Sequence, residues 1–369
     1  MYWRYQEQPE RSPLTNKTSS GIDIHALAED MPNLPVGRFA QMTGDPRIFA
    51  LACNFPAGDE PGTVLVSTDQ GNTWEKTGPF SAAKDIVATD SGAFLCTAQG
   101  ALIAAFANRA EMVRADWDPA LKDPSTWRLP TYVARSLDGG QTWQDLQKLH
   151  DDWTGANRDM IQTREGRIVF TSMKLLGNPG RHSVLTYASD DEGRTWNASN
   201  VIDLGGNGHH GGVTEATLVE LQDGRLLKYI RTNWGQLWFA VSTDAGSSWH
   251  PYGPSGIDAS STPAFVERLA SGRIVLVWNR RCPEGQDTWP PRGGDGIWSA
   301  VPASNFRHEL SMSFSADECQ TWSPPVVIAR NPDGEVSYPY AFEPEPGVLW
   351  ITAHRFNLKM RLREADFAR

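Results

Sequence analysis

The sequence predicts an all-β chain folded as a six-bladed β-propeller. Three observations carry that prediction: an eight-residue turn motif that recurs five times, a glycine turn followed by an apolar strand that recurs six times, and a composition rich in Trp, Gly and Pro.

The turn motif reads Ser-x-Asp-x-Gly-x-Thr-Trp. It begins at Ser67, Ser136, Ser189, Ser242 and Ser315, at successive separations of 69, 53, 53 and 73 residues, each enough for a four-stranded blade with its loops. The fourth copy has Ser248 in place of Thr, and the fifth has Cys319 in place of Gly. Ser and Asp side chains bond backbone groups within a hairpin turn, Gly supplies a positive φ, and Trp packs into the blade. These residues are therefore expected to build the fold, and none is expected to be catalytic.

The second repeat places an apolar strand after a glycine at Gly44, Gly92, Gly166, Gly224, Gly272 and Gly347, which sets the blade count at six. The last copy has no turn motif after it. A ring must close, so the sixth blade is expected to combine strands from both ends of the chain, near Ile24 to Leu27 and Lys359 to Leu362. Residues 1–20 are expected to form a polar extension and residues 21–369 a single domain.

Composition narrows the function. With 15 Trp, 33 Gly and 25 Pro, the 369 residues suit short strands and tight turns. No apolar run is long enough to span a bilayer, and the first thirty residues lack the basic-then-apolar order of a secretion signal, so the expected location is cytoplasmic unless a leader has been removed. A formal charge of -10 argues against a nucleic-acid partner and requires any bound anion to meet a local cluster of arginines. Cys53, Cys96, Cys282 and Cys319 are widely spaced and read as reduced thiols, and the eight His suggest no metal site. No cofactor is implied.

In a propeller, polar residues on strands facing the axis converge on a ligand site. Arg38, Arg231 and Arg307, in separate modules, and Glu215 are charged residues in or beside otherwise apolar strands. Three guanidiniums around one point would grip a carboxylate by paired, charge-assisted hydrogen bonds. The loop Gly205 to Gly212 carries His209 and His210 among five glycines, which permits close approach to a ligand and offers acid-base chemistry near neutral pH.

The stretch from Glu215 through Leu221-Gln-Asp-Gly224 to Arg231, the module from Gly272 to Arg307, and Val336-Ser-Tyr-Pro339 together resemble the exo-sialidases (neuraminidases) of the Asp-box, or BNR-repeat, superfamily. The resemblance runs roughly from Arg38 to Phe367, although Arg38 lies in Gly-Arg-Phe-Ala where that family carries Arg-Ile-Pro. It implies an exo-acting glycoside hydrolase that removes a terminal carboxylated sugar, a sialic acid or related nonulosonate. Arg38, Arg231 and Arg307 would hold the carboxylate, Tyr338 would be the nucleophile with Glu215 as its base, and Asp59 would be the acid. Tyr340, two residues from Tyr338 and so on the same face of a strand, competes for the nucleophile's role. Two alternatives stand beside this one: a lyase or hydrolase acting on uronate-containing glycans through His209 or His210, and a carbohydrate-binding propeller without catalysis.

Overall fold

The computed structural model describes residues 11–46, 48–52, 62–81, 85–117, 124 and 126–367. Its strands form six antiparallel four-stranded blades in chain order. The first blade comprises Phe39–Gln41, Phe49–Ala52, Thr63–Ser67 and Glu75–Pro79, and the second Ala88–Cys96, Leu102–Asn108, Thr131–Ser136 and Gln144–His150. The third is built from Met160–Gln162, Ile168–Leu176, Arg181–Ser189 and Asn197–Ala198, and the fourth from Val213–Glu220, Leu226–Thr232, Gln236–Ser242 and Tyr252–Asp258. The fifth contains Phe265–Arg268, Ile274–Trp278, Glu309–Ser315 and Val326–Arg330. The sixth takes Pro339–Glu345, Val348–Ala353 and Leu358–Arg363 from the C-terminal end and its outermost strand, Glu29–Asp30, from the N-terminal end.

Closure by both ends of the chain is therefore as expected, but with different N-terminal residues. Asp23–His25, which includes the expected Ile24, pairs instead with Val326–Arg330, so it widens the fifth blade. Leu14–Lys17, inside the segment read as a polar extension, pairs onto it in turn. One further strand position differs from the sequence reading. The turn glycine of the second blade is Gly100 (φ 92°), whereas Gly92 lies inside the inner strand Ala88–Cys96. Gly92 is required there by crowding: a Cβ would stand 2.4 Å from the Tyr340 hydroxyl and 3.0 Å from the carbonyl oxygens of Asn157 and Arg158.

Each turn motif is held by the same local bonds. In the second blade Ser136 Oγ donates to Asp138 Oδ1 (2.8 Å) and accepts from the Gly140 amide (2.9 Å), while Asp138 accepts from the Thr142 amide and hydroxyl (2.9 and 2.6 Å). The motif glycine also faces the preceding blade. A Cβ on Gly193 would meet Ile103 of the second blade at 2.8 Å, and one on Gly246 would meet Val169 of the third at 2.8 Å. Cys319 occupies the equivalent position of the fifth blade at φ 63°, beside Tyr229 of the fourth. The motif Trp residues pack between blades, and Trp249 is wholly buried among Val169, Val184, Leu226 and Ile230.

One core position breaks the apolar pattern. Lys228, on the second strand of the fourth blade, is fully buried with its Nζ 4.2 Å from the centre of the Trp249 ring and no hydrogen-bond partner. Burial drives its pKa well below the usual lysine value, so folding favours the neutral amine. The unfolded chain binds a proton that the folded chain resists, and stability from this group is lost as pH falls below the ordinary lysine value of 10.5. Lys228→Met is expected to raise the melting temperature at pH 7, with the gain shrinking as pH approaches 10. Thermal melts across that range check it, and a lower melting temperature for the variant at pH 7 would contradict the assignment.

Candidate functional site

Glu215, Arg231 and Tyr338 line one cavity of about 340 Å³, reached by strands of the fourth and sixth blades. The fourth blade aims its residues through an irregularity. Thr214 pairs with Arg231 and Ala216 with Ile230, so Glu215 is the unpaired residue of a bulge, and its buried carboxylate turns toward the guanidinium across the ladder.

Arg231 is the hub. Its Nη1 donates a short hydrogen bond to Glu215 Oε2 and a longer one, 3.3 Å, to the Tyr338 hydroxyl, while Nε and Nη2 reach Ser261 Oγ at 3.3 and 3.2 Å. Burial opposes its charge, but Glu215 and Tyr338 outweigh that effect and hold its pKa above the usual value. Arg307 sits beside it through the same serine, donating from Nη2 to the Ser261 carbonyl (3.0 Å), and its Cζ lies 5.6 Å from the centre of the Tyr338 ring. Its carboxylate partner, Glu335, is 3.7 Å away. Burial is the main influence that pushes the Arg307 pKa below the usual arginine value, with Arg231 acting in the same direction. A buried cation with so distant a partner favours an incoming anion.

Tyr338 and Tyr340 are separated by the backbone. Tyr338 precedes the strand Pro339–Glu345 and has φ 63°, a left-handed conformation that costs a non-glycine residue roughly 1–3 kcal/mol. The expected sharing of one strand face therefore does not hold: Tyr338 is half-buried at the cavity, and Tyr340 is buried in the core, 5.5 Å from Phe265 and under the Arg158 guanidinium at 4.1 Å. Amides of His354 and Arg355 bond the carbonyls of Tyr338 (3.1 Å) and Ser337 (3.2 Å) and brace the turn.

Arg38 is not brought to this group. Its Nη1 donates to Glu267 Oε2 at 2.6 Å, its Nη2 is 3.7 Å from Asp159, and its Cζ lies 4.7 Å from the Phe265 ring centre. It lines a different cavity with Glu267 and Gln162. Two acids claim the guanidinium, Glu267 on the first strand of the fifth blade and Asp159 just ahead of the third blade, and sequence spacing carries no trace of them. Around Tyr338 stand two arginines that the sequence reading missed, Arg158 and Arg355, each with Cζ 5.8 Å from the ring centre. Ser261 was missed as well, and a serine in Ser260-Ser261-Thr262 gives no local signal for bridging two arginines. Asp59 lies outside the described residues.

The glycine-histidine loop is fixed in place. The amides of His209 and His210 donate to the carbonyls of Ile297 (3.0 Å) and Trp298 (2.8 Å), and Asn233 Nδ2 donates to the His210 carbonyl (2.8 Å). Both imidazoles line the same cavity as Glu215, with His182 behind them. His182 Nε2 bonds the His209 carbonyl at 2.9 Å and must be the protonated nitrogen, which leaves the buried Nδ1 as an unpaired acceptor. Burial, followed by neighbouring positive charge, lowers the His210 pKa to about 2, and burial lowers His209 as well. The His210 ring is therefore neutral and weakly basic. A larger cavity, about 730 Å³, opens between the first and sixth blades near Phe49 and Trp350, away from these residues.

Fold and cavity define an Asp-box β-propeller with an arginine-centred, sugar-sized pocket at one end. Residues 120–351 match the BNR repeat-like domain family, and the chain belongs to that family as a sialidase-type propeller. It is similar to a sialidase of Micromonospora viridifaciens, 27% identical over 371 residues that cover 89% of this chain and 52% of the relative. A Bacteroides fragilis sialidase is 25% identical over 281 residues, covering 70% of this chain and 47% of the relative, so the chain spans about half the length of these relatives. Among solved structures, the Hadza microbial sialidase Hz136 superposes with a TM-score of 0.61 at 17% identity, covering 89% of this chain and 65% of that one. Trypanosoma rangeli sialidase in complex with 2,3-difluorosialic acid gives 0.56 at 14% identity, covering 98% and 57%. At these identities the structural likeness speaks for the fold.

The buried imidazoles make acid stability a test of this geometry. Burial is the chief cause that lowers His150 and His182 to about 4 each, from 6.5. The unfolded chain therefore takes up protons first, and stability present above pH 6.5 is lost as pH falls toward 4. For His150, held between Tyr187 and Thr154, the loss approaches about 3 kcal/mol at pH 4. Melting temperatures between pH 7 and 4.5 are expected to fall, with a shallower slope in His150→Gln. An unchanged slope would contradict a buried neutral imidazole.

Proposed function

We propose that the chain is an exo-acting glycoside hydrolase that removes a terminal carboxylated sugar of the sialic acid class. The observation that carries this reading is the position of the Arg231 guanidinium, bonded at once to Glu215 and to the Tyr338 hydroxyl with Arg307 over the same ring. Arg231 and Arg307 would receive the substrate carboxylate, Arg231 exchanging part of its contact with Glu215 for the incoming anion. The anomeric carbon would then lie against the Tyr338 oxygen.

In the proposed reaction the Tyr338 oxygen forms a bond to the anomeric carbon as the glycosidic bond breaks, and Glu215 accepts the phenolic proton. A neutral nucleophile suits a sugar whose anomeric carbon already bears a carboxylate, because a carboxylate nucleophile would be repelled. The leaving oxygen takes its proton from an acid, for which Asp59 is the assignment carried from the sequence. Water then cleaves the glycosyl-tyrosine, and two displacements give retention. The T. rangeli relative described as a covalent intermediate supports the first step by analogy. Arg38, tied to Glu267, is left out of the clamp in this proposal, and Arg355 and Arg158 supply the remaining positive charge around Tyr338.

The elimination reading draws on His209 and His210 at the same cavity, but His210, with its pKa lowered to about 2, is a poor proton acceptor, and burial weakens His209 as a base too. Tyr338→Phe and Glu215→Gln are each expected to lower kcat by on the order of 10²–10⁴-fold on an α-sialoside while substrate still binds. His209→Ala is expected to cost less than tenfold. Release of a fluorescent aglycone measures all three. A crippled His209→Ala beside a mild Glu215→Gln would favour elimination, and binding without release by the unaltered protein would leave a carbohydrate-binding propeller.

A further inference from the structure

Two excursions rise from the blades at the mouth of the cavity. In the second blade, among the described residues between Asn108 and Thr131, Val113 bridges to Arg128, and Leu129 bridges to Trp153 ahead of the third blade. Trp127 and Trp153 meet with ring centres 5.1 Å apart, and the exposed Arg114 guanidinium lies over both, 5.1 and 5.7 Å from their centres. In the fifth blade, a hairpin of Pro291–Arg292 with Ala303–Ser304 carries Arg292, whose guanidinium lies 5.2 Å from the Trp298 ring centre. His209 and His210 stand between the two: His209 is 6.2 Å from Trp117 of the first excursion, and His210 is 5.1 Å from Trp298 of the second. Arg114 and Arg292 both act electrostatically on His209.

The cavity that holds Glu215, Arg231 and Tyr338 extends without interruption to Arg114, Trp127 and Trp153. Among the described residues neither Arg114 nor Arg292 forms a salt bridge, although the chain carries 44 acidic side chains against 34 basic ones. A guanidinium over an aromatic face is steadied by the ring and can still turn N–H groups toward a planar oxyanion. The half-buried Trp153 offers a flat apolar surface of the kind that lines sugar sites.

We propose that this rim is a second anion subsite, in which Arg114 on its tryptophan platform, aided by Arg292, binds the carboxylate of the sugar next to the one cleaved. The preferred substrate is then a glycan ending in two adjacent acidic sugars. The proposal rests on the hydrolase reading for the position of the first sugar. Because both arginines are exposed, their effect is screened by salt.

The test is equilibrium binding by calorimetry to the Tyr338→Phe protein, which is expected to bind without turnover. The probes are an α-linked sialic acid dimer, with two carboxylates, and sialyllactose, with one. The dimer is expected to bind on the order of tenfold more tightly at low salt, with the ratio falling as salt is added. Adding Arg114→Gln together with Arg292→Gln is expected to bring the ratio close to one, and Arg114→Lys to retain part of the preference. Thermal melts of each variant check that it is folded. Equal affinity for the two probes, or a preference that survives the double substitution, overturns the second subsite alone. Failure of both probes to bind overturns the subsite and the proposed substrate class together.

Discussion

The contact between each turn-motif glycine and the blade before it is the constraint on which the ring depends. The Ser and Asp of the motif fold the chain back on itself, and the glycine lets that turn press against a strand of the neighbour: Ile103 for Gly193, Val169 for Gly246. A side chain at either position would meet the facing residue at 2.8 Å and push two sheets apart. The motif thus fixes a hairpin and a spacing between blades with the same few atoms. Cys319 marks the one blade where the neighbour leaves room, at the cost of a non-glycine residue at φ 63°.

The repeat was legible in the sequence because its bonds are local, all within five or so residues, and local bonds leave a fixed spacing of residue types. Residues joined across blades left no such trace. Arg38 has a strand position comparable to that of Arg231, and only the fold reveals that Glu267 and Asp159 reach it first. Tyr338 and Tyr340 look equivalent by strand periodicity until a positive φ at Tyr338 breaks the alternation. Glu215 and Arg231 were each legible as charged residues of apolar strands, but neither their pairing across one hairpin nor the bulge that turns the carboxylate inward was.

The electrostatics of the pocket run against those of the chain. A protein of formal charge -10 places four guanidiniums around one tyrosine ring and matches them with a single buried carboxylate in direct contact with Arg231. Positive charge concentrated in this way favours a negative ligand, which is the basis of the proposed function. Rigid backing makes this possible. Ser261 supports both Arg231 and Arg307, and the glycine-histidine loop is bonded on three sides, so the cations cannot relax away from one another.

The outermost strand of the sixth blade, Glu29–Asp30, pairs with Met360 and Arg361, while Asp23–His25, a few residues earlier, pairs with the fifth blade. During synthesis on the ribosome Glu29 must wait 332 residues for its partner Arg361 to emerge. Five blades can stack as they appear, yet the ring stays open until the last strands leave the exit tunnel, and closure over so long a loop is slow. The strand Glu29–Asp30 then works as a clasp: a chain cut short before Leu358–Arg363 loses its partner strand, and Glu29–Asp30 is left as an easier target for proteolysis while Asp23–His25 stays paired with the fifth blade.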